Sequence, residues 1–108
     1  MDEVVNNKSL TVEIGTDGTI IIHGDIDIAG GPILESAILS RESAEKIVLD
    51  LRDVFFIDSS GLRSLLGASR RAQARNTVVV LRSVGAQVER LLQITGTTDQ
   101  FVIESGRD

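Results

Sequence analysis

Between Ile47 and Leu66 the hydrophobic period of this chain switches from that of a strand to that of a helix. Ile47-Val48-Leu49-Asp50-Leu51 is short, apolar and β-branched, the pattern of a buried strand. Leu62, Leu65, Leu66 and Ser69 then recur at helical spacing. Between the two lies Phe55-Phe56-Ile57-Asp58-Ser59-Ser60-Gly61. A helix that starts there leaves four backbone N–H groups without partners, and Asp or Ser side chains accept from them. From the residues alone, Asp58-Ser59-Ser60 reads as a helix N-cap.

The rest of the chain repeats the strand-to-helix alternation. Residues 1–8 are polar and read as a flexible N-terminal tail, leaving 9–108 as a single domain. Leu10, Val12 and Ile14 alternate with polar residues, and Gly15-Thr16-Asp17-Gly18 supplies a turn. Thr19 to Gly24 returns as a second, antiparallel strand whose three isoleucines suggest burial on both faces. Asp25 to Gly31 is a loop, and Pro32 suits the first turn of a helix that buries Ile33, Leu34, Ala37 and Ile38 and dies between Arg41 and Ala44. A strand from Lys46 to Leu51 precedes a second helix, from about Ser59 to Ala74, which buries Leu62, Leu65, Leu66, Ala68, Ala72 and part of Ser69. Thr77 to Leu81 is a fourth strand. A third helix from about Gly85 buries Val88, Leu91, Leu92 and Thr95 and stops at Gly96. Phe101-Val102-Ile103 closes the pattern as a short last strand. The fold class is α/β: an initial β-hairpin, then β-α-β-α-β-α crossovers in an open mixed sheet. Gly67, inside the second helix, costs about 1 kcal/mol relative to Ala, so close packing against a neighbour is expected there.

Composition removes several function classes. The chain has 108 residues, a net charge of −5 and only three aromatic residues, all Phe, so it lacks the basic footprint and stacking platform of a nucleic-acid binder. It contains no cysteine, which excludes disulfides and thiolate chemistry. Neither a signal-peptide pattern nor an apolar run of about 18 residues occurs, so the cytoplasm is the expected compartment and no membrane contact is expected. An acidic, aromatic-poor domain points instead to protein interaction.

Catalysis is equally poorly provided for. The sole histidine, His23, closes a strand, and no Gly-x-Ser-x-Gly elbow exists to build a serine hydrolase around. Gly30-Gly31 is too short for a phosphate-binding loop. Asp25 with Asp27 and Asp50 with Asp53 read as solvated carboxylates rather than a metal site. No cofactor is expected, and the serines read as acted upon rather than acting.

Three blocks resemble one family. Ile47 to Val54 followed by Phe56-Ile57-Asp58-Ser59-Ser60-Gly61-Leu62 resembles the central block of STAS-domain anti-sigma factor antagonists. Gly24-Asp25-Ile26-Asp27 is similar to their Gly-Glu-Leu-Asp segment, and Val88 to Gly96 to their third helix. The resemblance runs from about Leu10 to Ile103. It implies a STAS-like sheet and a domain that is not an enzyme. Unphosphorylated, the domain would bind an anti-sigma factor serine kinase and so release a sigma factor. Phosphorylation of Ser59 would end that binding, and a serine phosphatase would reset it. The partner surface implied comprises Asp25, Asp27, Gly30, Asp58, Ser59, Ser60 and Arg63; Phe55 joins it from the sequence itself, not from the resemblance. Relatives usually carry a further C-terminal helix, whereas only Glu104 to Asp108 remain here. The alternative implied by the same fold is a scaffold or subunit of a stress-signalling, transport or lipid-trafficking complex.

A helix N-terminus favours an anion by roughly 0.3–1 kcal/mol, so a phosphate of charge near −2 fits at Ser59 without unfolding the domain. Phe55 bears on the same surface. Side chains alternate along an extended segment, so if Phe56 takes the family's core position, Phe55 faces outward, four residues before Ser59. A bend in the loop would bury both rings instead.

Overall fold

The computed structural model describes residues 10–41 and 44–104; the expected tail over residues 1–8 and the C-terminal residues 105–108 lie outside them. Two short strands, β1 (Leu10–Ile14) and β2 (Ile20–Gly24), form the antiparallel hairpin. Its turn is closed by Gly15 N donating to Thr19 O at 2.8 Å, with Gly18 at φ +88°, where a side chain would be strained. Three crossovers follow: α1 (Gly31–Leu39), β3 (Lys46–Asp53), α2 (Ser59–Gln73), β4 (Val78–Arg82), α3 (Ala86–Thr95) and β5 (Val102–Glu104). The sheet order is β1-β2-β3-β4-β5, and every pairing after the hairpin is parallel.

Strand order that equals chain order has a consequence. Each crossover advances in the same direction, and crossovers share one hand, so the helices gather on one face of the sheet. A single core results. Ile20 and Ile22 of β2, Ile47, Leu49 and Leu51 of β3, and Val79 and Leu81 of β4 meet Leu34 and Ile38 of α1, Leu62, Leu65, Ala68 and Ala72 of α2, and Val88 and Leu92 of α3.

Several expected details differ. Ile21 is only partly buried, because the second face of the sheet carries no helix at that point. Helix α1 ends at Leu39 with Ser40 as its cap, earlier than expected, and Ile33 is 45% exposed although it belongs to the apolar stripe. Ile33 lines an apolar groove against Val12 and Ile14 instead. Thr95 is exposed and turns its hydroxyl back to Leu91 O at 2.8 Å, while Gly96 takes the left-handed conformation expected of a terminator. At Gly67 an added Cβ would meet nothing within 4 Å, so close packing is not its reason.

His23 bridges three strands. Its Nε2 lies 3.2 Å from Glu13 of β1 and its Nδ1 2.9 Å from Asp53 of β3. The hydrogen bond to Glu13 raises its pKa above the ordinary 6.5, burial opposes this, and Asp53 adds to the rise. The protonated ring is therefore favoured by folding, and its contribution is fully present below pH 6.5 and lost as pH rises through the folded value. The melting temperature is expected to fall as pH rises above 6.5, and His23→Asn should remove that part of the slope. Parallel pH profiles for the two proteins would contradict the bridge.

Candidate functional site

The site forms where β3 runs out. Val54 and Ile57 point into the core at 1% exposure each, whereas Phe55 is 76% and Phe56 44% exposed. Phe55 faces outward, but the condition attached to that expectation does not hold. Phe56 is not the core residue, because Val54 and Ile57 occupy that role on either side of the pair.

Asp58 then caps α2. Its backbone is extended, its carboxylate accepts from Gly61 N at 2.8 Å, and its carbonyl accepts from Leu62 N at 2.9 Å. Ser59, the first helical residue, is exposed, and Ser60 is half-buried. Asp58 does the capping, so neither serine hydroxyl is needed for it; among the described residues neither has a hydrogen-bond partner. His23 is engaged by Glu13 and Asp53, not by a serine.

What holds this turn still comes from two directions. On one side Ile26 N donates to Phe56 O at 3.1 Å and Asp58 N donates to Ile26 O at 3.2 Å, a parallel bridge between Ile26 and Ile57. On the other, the side-chain amide of Gln87 in α3 accepts from Ile57 N at 3.0 Å and donates to Ile57 O at 3.4 Å. Ile57 is thus clamped from both edges. The Ile26 carbonyl also lies against Gly61, where any Cβ would collide with it.

The bridge brings the Asp25–Gly30 loop beside the turn. Asp25 and Ile28 are exposed, Ile28 at 75%. Asp27, half-buried, uses one carboxylate oxygen to accept from Gly30 N at 2.9 Å, so it also closes the loop into α1. Gly30 is buried against Leu10 and the Asp25 carbonyl. It shapes the loop and presents no surface of its own, which corrects its expected place in a contact surface. Arg63, one turn beyond Ser59, is exposed. Ser59 and Arg63 open a groove of about 330 Å³ that runs over Leu62, Leu66 and Gly67 towards Thr97.

Sequence reasoning missed Gln87 and Ile26. A glutamine on the polar side of an amphipathic helix carries no signal of a tertiary clamp, and Ile26, although it lies in the segment similar to the family's Gly-Glu-Leu-Asp, carries no signal of its bridge to Ile57. Gln87→Ala is expected to cost about 1 kcal/mol, the net worth of an exposed hydrogen-bonding side chain, and to release the Ile57 amide to hydrogen exchange. Unchanged exchange at Ile57 would mean that the clamp does not hold the turn.

The arrangement can present a hydroxyl, two carboxylates and apolar side chains to another protein. Among the described residues no helix is long and apolar enough to cross a membrane. The family model described as "STAS domain" matches residues 9–107. The anti-sigma-B factor antagonist of Listeria monocytogenes is 33% identical over 88 residues, which span 80% of this chain and 77% of that protein. The crystal structure of an anti-sigma factor antagonist from Mycobacterium paratuberculosis superposes with a TM-score of 0.65 at 29% identity, covering 91% of this chain and 85% of that one. The phosphorylated form of SpoIIAA, a Bacillus cell fate determinant, shares the fold with a TM-score of 0.63 at 20% identity, over 90% of this chain and 92% of its own.

Proposed function

The chain belongs to the STAS-domain family, and from that premise we propose that it is an anti-sigma factor antagonist switched by phosphorylation of Ser59. Unphosphorylated, it binds an anti-sigma factor that is also a serine kinase, and the sigma factor held by that kinase is released. The Ser59 Oγ then attacks the γ-phosphorus of ATP bound to the kinase. The bond from that phosphorus to the bridging oxygen breaks, ADP leaves, and the hydroxyl proton passes to a base of the kinase. A serine phosphatase hydrolyses the ester and restores the binder. The domain is substrate and ligand, and the catalytic groups belong to its partners, which place it in the cytoplasm.

One observation carries this reading: Ser59 is exposed at the first position of α2 with its hydroxyl unengaged among the described residues, on a turn clamped from both edges. A kinase can reach it without unfolding anything. Phosphate there adds about two negative charges at pH 7 beside Asp58, and a partner seated on Phe55 and Ile28 would have to desolvate them. The contact surface comprises Asp25, Asp27, Phe55, Asp58, Ser59, Ser60 and Arg63, with Gly30 shaping the loop beneath it. Displacement tests the proposal. Added to a preformed complex of sigma factor and anti-sigma factor kinase, the unphosphorylated protein should release the sigma factor, and the phosphorylated protein should not. Equal release by both forms would overturn the switch, and no release by either would overturn the function.

A further inference from the structure

The three arginines of α2 differ in how they are used. Arg71 reaches Glu35 of α1 at 3.5 Å. Arg63 and Arg70 are exposed, and neither has an ion-pair partner among the described residues. Both line the groove that opens at Ser59.

We propose that Arg63 is the built-in counter-ion of phosphorylated Ser59, so that the phosphate, once attached, draws Arg63 to itself and away from the partner. This deepens the reading of Ser59 as phosphoacceptor and rests on it. Residues four apart are neighbours on a helix surface, and an acid N-terminal to a base is the favoured order. The rise between Ser59 and Arg63 is about 6 Å, within reach of an arginine side chain that leans towards the helix N-terminus. A guanidinium fork matches phosphate oxygens in a bidentate manner. Arg70 stands eleven residues on, about 16 Å along the axis. That is beyond the Debye length of about 8 Å at physiological salt, so Arg70 serves as the internal control. The charge offered to the partner then changes by about three units, two from the phosphate and one from the engaged arginine.

The test installs phosphoserine at position 59 of the full chain by genetic code expansion, without any kinase, and follows the phosphate by ³¹P NMR titration. In the otherwise wild-type protein the second ionisation should lie below its ordinary value of about 6. Arg63→Gln should raise it by about 0.3 of a pH unit, the equivalent of one such helical pair. Arg63→Lys should recover part of that shift, and Arg70→Gln should leave the titration where it was. Melting curves confirm that each variant is folded. Identical titrations for Arg63→Gln and the parent, or an equal shift from Arg70→Gln, would overturn the pairing. Because the phosphate is installed without a kinase, failure here is separate from failure of the phosphoacceptor assignment, which mapping of the kinase product decides.

Discussion

Gly61→Ala is expected to cost about 3 kcal/mol or more, at the upper end of what overpacking does to a well-packed site. The added methyl would meet the carbonyl of Ile26, an atom that cannot rotate away. That carbonyl also accepts from Asp58 N, and Ile26 itself is fully buried, so relief requires breaking the bridge that carries the site. The same substitution six residues on should act in the opposite sense. Gly67→Ala fills open space on α2, and replacing a helical glycine by alanine gains up to about 1 kcal/mol. For a domain of this size that corresponds to a rise of about 4–8 °C in melting temperature. Urea unfolding of the two variants side by side checks both. A Gly61→Ala protein as stable as the parent would mean that the helix start does not approach the Ile26 segment as closely as described.

Phe55→Ala is expected to weaken binding to the anti-sigma factor kinase by about thirtyfold or more while leaving stability within about 0.5 kcal/mol. With 76% of its surface exposed, the ring contributes little to the core, and surface substitutions usually have small effects on folding. In an interface, an aromatic anchor is commonly worth 2 kcal/mol or more, and about 1.4 kcal/mol is one decade of affinity. Phe56→Ala should show a smaller binding loss and a larger stability loss, since it is 44% exposed. The two quantities are measured separately, by denaturant unfolding and by titration of the partner. Unaltered affinity for Phe55→Ala would remove the anchor from the account.

The hairpin, the order of strands and helices, the cap at Asp58 and the stop at Gly96 were legible because each rests on local periodicity or on a residue with a defined backbone preference. What escaped depends on contacts across the sheet. Whether Phe56 or Ile57 enters the core is set by the Ile26 bridge, which lies thirty-one residues away in sequence from Ile57. Ile33 lies on the same stripe as Leu34, yet α1 offers that edge to β1 rather than to α2. The two helical glycines look alike in sequence. Only the approach of a backbone carbonyl distinguishes Gly61, which has no room for a methyl, from Gly67, which has it. Asp27 matched a family segment, but its bond to Gly30 N gives it a structural duty as well.

The most direct measurement is to incubate the protein with ATP and a cognate anti-sigma factor kinase, read the intact mass and map the modified peptide. The account predicts a single added phosphate, located on Ser59, absent from Ser59→Ala and retained by Ser60→Ala. Phosphate on Ser60 or on any other residue, or modification of Ser59→Ala to the level of the parent, would contradict it.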